Sequence, residues 1–295
     1  MAHVPPAGPS LEASRRWFAE ELRHVAHLRS RAVVDAFATV PRERFVGPGP
    51  WRIRSPMRMA QYWTTDDADP RHVYHDVLIA LDETRGLNNG QPSLWAALFD
   101  GLDISPGERV LHLGCGTGYY SAILAELVGP QGRVMAVEID GKLAEQARVA
   151  LQPWPQAVAI TADGTAYDPG EVDLIVASAG ATHPAPLWLD SLRTGGRLLF
   201  PLTTDDQGGA MLLLTRQGPD TFAARFIQPV GFIAFAGARD PEESRRLKAA
   251  FGGGDTHSVK SLRRDAHAEG ETCWLHAAGW CLSRREPNSP ESAPP

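Results

Sequence analysis

The chain has 295 residues, 43% of them hydrophobic and 22% charged, with a formal net charge of -6. That length holds one large α/β domain plus a smaller addition, and the composition is that of an ordinary soluble globular protein. The acidic balance argues against a nucleic-acid partner. With no basic-then-apolar leader at Met1–Pro6 and no apolar run near 18 residues, no membrane partner is expected and a cytoplasmic location is.

Three cysteines, Cys115, Cys273 and Cys281, are too few for a disulfide framework, so reduced thiols are expected. Residues 1–10 and the proline-rich tail 285–295 lack the composition for a packed core and are expected to be disordered. From Leu11 to Leu28 the apolar residues Trp17, Phe18, Leu22, Val25 and Leu28 recur at helical spacing, with Ser10 as cap. A second helix is expected over 30–39, ended by Val40-Pro41. Residues 47–90, rich in Pro, Gly, Asp and Arg, read as mostly irregular, a lid or substrate loop.

From Pro92 the pattern changes to alternating helices and short apolar runs. Strands are expected at 110–113, 134–137, 157–161, 174–177 and 198–202, with helices near 93–101, 119–128, 141–151 and 185–192. This alternation predicts a doubly wound, Rossmann-like α/β fold with a parallel sheet covered on both faces. The expected organisation is N-terminal helices and lid loop over 1–85, a cofactor domain over 86–216 and a C-terminal accessory unit over 217–284, followed by the tail. The accessory unit includes strand-like Phe232–Phe235, a helix at 241–251 and a flexible joint at Gly252–Gly254.

Val110-Leu111-His112-Leu113 runs directly into Gly114-Cys115-Gly116-Thr117-Gly118 and then a helix from Tyr119. Glycines in such a turn permit positive φ and close backbone approach, and the helix start offers unsatisfied N–H groups. The next strand ends at Glu138-Ile139, where a carboxylate suits ribose hydroxyls, and a third ends at Asp163-Gly164, an acceptor for an adenine amino group. A dinucleotide fingerprint needs glycine or alanine three positions after Gly116, and Tyr119 stands there. The expected cofactor is therefore S-adenosylmethionine, not NAD.

Five segments together resemble the protein-L-isoaspartate O-methyltransferase family over about residues 30–216: Val40–Val46, Val110–Ser121, Asp163-Gly164, Asp173–Ala181 and Leu192–Pro201. The resemblance implies that Gly114, Gly116 and Gly118 contact the methionyl part of the cofactor, Glu138 the ribose and Asp163 the adenine. It also implies a hydroxyl-bearing Thr-x-Ser-x-Pro-like segment that holds the substrate carboxyl group. Aligned on Pro92, this chain has Asn88-Asn89-Gly90-Gln91-Pro92, with Gly90 at the serine position. Candidate acceptor-side residues are Asn89, Gly90, Gln91, Trp95, Ser178, Ala179 and His183.

No catalytic residue is assigned, because a methyl on a sulfonium is already activated and a carboxylate acceptor needs no general base. The function expected is methylation of a protein or peptide carboxylate with altered acceptor specificity. A small-molecule methyltransferase and a non-catalytic nucleotide-binding protein stay open, as does the oligomeric state. His267, Cys273, His276 and Cys281 are good zinc ligands by type, but their spacing matches no usual motif and no metal is expected. Trp274 and Trp280 read as core or substrate wall, and the pairs Arg245-Arg246 and Arg263-Arg264 as solvated faces.

Overall fold

A computed structural model describes residues 8–287, so the outermost parts of both expected disordered ends fall outside it. The N-terminal part opens with α1 (Leu11–Val25) and α2 (Arg31–Thr39), whose first turns are capped by Ser10 and Ser30. Helix α1 buries Phe18, Ala19 and Leu22, while Trp17 and Val25 are exposed, so its buried stripe is narrower than the expected one.

Residues 47–90 hold more regular structure than expected, although half of them lie outside strands and helical turns. Strands β1 (Arg52–Arg54), β2 (Trp63–Thr64), β3 (Leu78–Asp82) and β4 (Leu87–Asn88) form a separate antiparallel sheet in the order β2-β1-β3-β4. Two- to five-residue strands show too little alternation to be read from sequence.

The cofactor half follows: α3 (Pro92–Asp100), β5 (Arg109–Leu113), α4 (Tyr119–Val128), β6 (Arg133–Glu138), α5 (Gly141–Ala150), β7 (Ala157–Thr161), β8 (Val172–Ala177), α6 (Pro186–Asp190) and β9 (Leu192–Thr203). Five of its strands lie parallel in the order β9-β8-β5-β6-β7. Strand order reverses between β5 and β8, which opens a crevice beyond their carboxyl ends, bordered also by the end of β6.

The remaining elements are β10 (Gly208–Arg216), β11 (Thr221–Gly231), α7 (Pro241–Gly252), β12 (Ser261–Arg263), β13 (Cys273–Ala277) and β14 (Trp280–Ser283). Their strands continue the same sheet, antiparallel from β9, to give ten strands in the order β13-β14-β12-β11-β10-β9-β8-β5-β6-β7. The expected boundary at 216/217 falls in the turn of the β10–β11 hairpin, and the expected accessory unit shares the core of the cofactor half. One apolar layer packs Phe18, Phe37, Trp95 and Ile123 on one face, and the other packs Trp188, Leu247, Trp274 and Leu282 with Leu111 and Phe200. Phe232–Phe235 is not a strand. Apart from a single pairing of Ala234 with Gly180, it crosses the end of the sheet as a loop.

Candidate active site

Between β5 and α4 the turn Gly114–Gly118 holds three glycines at φ +66°, +57° and +92°. Those angles cost a side chain about 1–2 kcal/mol each, so the glycine spacing follows from the backbone path. The turn is tied to β6: the amides of Gly114 and Cys115 donate to the Val137 carbonyl at 2.8 and 3.1 Å. The Gly116 amide donates to Glu138 Oε2 at 2.8 Å, and the Asp140 amide to Oε1 at 3.0 Å. Glu138 is buried, and each of its oxygens keeps a second lone pair. No side chain caps the start of α4.

This turn borders a cavity of about 740 Å³ at the crevice. Gly114, Cys115, Gly116, Thr117, Tyr119, Glu138, Ile139 and Gly164 line one side of it, and Asn89, Gly90, Gln91, Trp95, Ser178 and Ala179 the other. Gly118 lies just outside, where it opens α4. Asp163 does not border the cavity. It is exposed, and its Oδ1 accepts from the amide and hydroxyl of Thr165, both at 2.8 Å. His183 also lies outside, half-buried beside Thr182. Tyr119 borders the cavity, yet its ring is packed against Phe37 and Phe45. Its bulk anchors the N-terminal helices instead of standing before the helix start, as the argument against a diphosphate had assumed.

The wall opposite the glycine turn is tied to Arg42, the third residue of Val40–Val46. Its fully buried guanidinium donates to the carbonyls of Val73, His75 and Val77 at 2.9, 2.9 and 2.7 Å, and to Asn89 Oδ1 at 3.2 Å. A guanidinium has no acceptor, so the oxygen of the Asn89 amide must face it and the NH2 faces elsewhere. Gly90 sits at φ +74°, its amide bonded to Asn88 Oδ1 at 2.9 Å. A Cβ on Gly90 would lie 2.9 Å from Trp95 Nε1 and 3.0 Å from Tyr120 Cε2. The Gln91 amide is already bound to Asp76 and Ser93, at 3.2 and 2.9 Å.

Three residues not singled out from the sequence join this wall. Arg54 borders the cavity with its guanidinium 4.6 Å over the Tyr62 ring and its Nε buried without a hydrogen-bond partner among the described residues. Tyr120 also borders it, with a buried, unpartnered hydroxyl that burial keeps protonated. His112, fully buried in β5, bridges Ser121 Oγ at 2.7 Å and Ser178 Oγ at 2.8 Å, and burial pushes its imidazole down to about 3. A neutral imidazole donates through one nitrogen and accepts through the other, so it fixes the Ser178 hydroxyl at the cavity edge. The apolar run around His112 hid it, because core strand positions rarely carry histidine.

A doubly wound sheet with a glycine turn and a buried acid at its switch point is the architecture of the Rossmann-like methyltransferases that use S-adenosylmethionine. Two solved structures share the fold: a protein-L-isoaspartate O-methyltransferase (22% identity, 81% of this chain and 69% of that chain, TM-score 0.64) and one from Plasmodium falciparum in complex with S-adenosyl-L-homocysteine (16% identity, 75% and 97%, TM-score 0.60). The family model for protein-L-isoaspartate(D-aspartate) O-methyltransferase matches residues 14–240. The Aeropyrum pernix protein-L-isoaspartate O-methyltransferase is 34% identical over 220 residues, covering 72% of this chain and 75% of that one. The Methanothermobacter thermautotrophicus enzyme is 29% identical over 228 residues, 76% and 95% of the two chains. The chain belongs to the protein-L-isoaspartate O-methyltransferase family, and it is an S-adenosylmethionine-dependent methyltransferase.

Proposed function

We propose that the chain methylates a carboxylate of a protein or peptide, in the cytoplasm, and recognises that carboxylate differently from a site built on a serine hydroxyl. The observation that carries this reading is the pairing, on one cavity, of Arg54, a cation without a carboxylate partner among the described residues, with Tyr120, a protonated hydroxyl likewise without a partner among them. Both residues border the cavity, and a guanidinium there complements an anionic acceptor. Among the described residues no helix is long and apolar enough to cross a membrane.

When bound, S-adenosylmethionine supplies a methyl group already activated on sulfur. The protein then has to hold the acceptor oxygen in line with the C–S bond and keep water out. We assign Gly114, Cys115, Gly116 and Thr117 to the methionyl end, with Gly118 and Tyr119 setting the turn, and Glu138 to the ribose through its remaining lone pairs. Ile139 and Gly164 take the adenine end in place of Asp163, which does not border the cavity. On the acceptor side, Asn89 offers an NH2 oriented by Arg42, while Ser178 is aligned by His112. His112 is held neutral, so no strong base faces the acceptor, which suits a nucleophile that is already an anion. Gly90 shapes the wall because Trp95 and Tyr120 leave no room for a side chain there.

Transfer of labelled methyl to an isoaspartyl peptide, its aspartyl counterpart and the same peptides with blocked carboxyl groups tests the reading. Incorporation should require a free carboxylate. Arg54→Gln and Tyr120→Phe should each lower kcat/KM for the acceptor about 10- to 100-fold, the loss expected for a hydrogen bond to a charged group, with S-adenosylhomocysteine affinity little changed. Labelling that persists on fully blocked peptides would overturn it.

A further inference from the structure

The far edge of the ten-stranded sheet carries a second constellation, beyond the end of the family match at residue 240. His267, Cys273, His276 and Cys281 each present one ligand atom, and these four atoms lie within 4.8 Å of one another. Two features of the β13–β14 hairpin bring them together. His276 is directly opposite Cys281 in the register, and opposed residues share a face. Cys273 lies three residues before His276, which in a regular strand would put it on the other face. The register shift between Cys273 and Leu275 supplies the extra residue that turns it back. His267 arrives from the loop between β12 and β13.

Two of the donor separations are close to those of a tetrahedral site, and the four atoms need only draw together slightly to form one. Cys273 Sγ is 3.6 Å from His267 Nε2 and 3.9 Å from His276 Nδ1. Bonds of about 2.3 Å to sulfur and 2.0–2.1 Å to nitrogen at tetrahedral angles put neighbouring ligand atoms about 3.3–3.8 Å apart. The histidine tautomer is set as well. His267 Nδ1 is 2.9 Å from the Asp265 carbonyl, which can only accept, so Nδ1 carries the proton and Nε2 faces the cluster with its lone pair. Such a carbonyl behind a ligating imidazole is a recurrent support of metal ligands. Arg263 Nε in turn holds the Asp265 carboxylate at 2.7 Å. Cys281 is fully buried and the other three residues are partly buried, which excludes bulk water from much of the site.

We propose that these four side chains bind one zinc ion in a closed Cys2His2 site, which clips the 264–272 loop to the terminal hairpin. All four positions come from protein, so the role is structural and not catalytic. The site closes a sheet edge whose last strands are only five and four residues long.

Metal analysis of the full chain, purified in reductant without an affinity metal, tests this. About one zinc per chain is expected, removed by chelator and restored by zinc salt, and cobalt substitution should give tetrahedral visible bands with thiolate charge transfer. Cys273→Ser/Cys281→Ser should abolish binding and lower Tm, while Cys115→Ser keeps the metal. Should the double variant not fold, His276→Gln should still weaken zinc at least about tenfold and leave S-adenosylhomocysteine binding unchanged. Absence of metal in both isolated and reconstituted reduced protein overturns the proposal, as does zinc retained by the double variant. A thiol count of one in the denatured, unreduced chain, showing a Cys273–Cys281 disulfide, overturns it too.

Discussion

Apart from Gly164, the cavity wall proposed for the cofactor comes from one stretch of chain, Gly114 to Asp140, whose parts are bonded to each other through backbone amides and Glu138. The acceptor wall is gathered from Arg54, Asn89, Gly90, Trp95, Tyr120 and Ser178, on separate elements, and much of it hangs on the buried guanidinium of Arg42. A wall made of adjacent strand ends is fixed by the sheet itself. A wall made of loops needs a buried tie, and its specificity can change while the cofactor side stays the same.

Cutting that tie should separate the walls most sharply. Arg42→Met leaves the carbonyls of Val73, His75, Val77 and Gly90 and the amide oxygen of Asn89 without their donor, and unsatisfied buried acceptors should together cost about 3–5 kcal/mol. Urea unfolding should show that loss, and any folded fraction should retain S-adenosylhomocysteine binding while acceptor turnover disappears. Parent-like stability would mean that Arg42 does not support the acceptor wall.

Acid sensitivity should come from His112, which joins the two walls. Its folded-state value of about 3 lies below the unfolded 6.5, so the unfolded chain binds a proton that the folded chain refuses. Stability from this group is complete above about pH 6.5 and is lost as pH falls toward 3, at about 1.4 kcal/mol per unit. Between pH 7 and 4.5 the parent should lose about 2–3 kcal/mol more than His112→Gln, which still offers a donor and an acceptor to the two serines. Parallel acid limbs in the two proteins would rule the histidine out.

On the cofactor side, Glu138→Ala should weaken S-adenosylhomocysteine about 10- to 150-fold, the range for hydrogen bonds to a charged group. Because Glu138 also holds the Gly116 amide, the ligand-free protein should lose some stability as well. Calorimetry and thermal unfolding measure the two effects. Unchanged affinity would remove Glu138 from the site.

The smallest effect is expected at Gly90. Gly90→Ser puts a side chain at φ +74° and against Trp95 and Tyr120, so it should destabilise by about 1–2 kcal/mol. It should not raise turnover on an isoaspartyl peptide. A gain there would show that the wall yields and that a hydroxyl is all it lacks.

Sequence alone determined the Rossmann-like fold, the strand and helix positions from Pro92 to Leu202, and the glycine turn with Glu138 at the end of the next strand. Each of these is written in contiguous residues, where period, glycine placement and strand ends act over one or two turns of chain. Tertiary structure decided the rest. The small sheet in 52–88 is built from strands too short to show alternation, and the C-terminal strands join the main sheet through pairings that no local pattern specifies. Arg42 reads as part of a motif, yet its partners lie 31 to 48 residues away. His112, Arg54 and Tyr120 became candidates only when burial and missing partners were visible. The four metal-type side chains look unrelated at spacings of six, three and five, until a strand register and a bulge turn them to one face. Chemistry that depends on which distant groups meet, and on what water is excluded from them, is set by packing and not by local sequence.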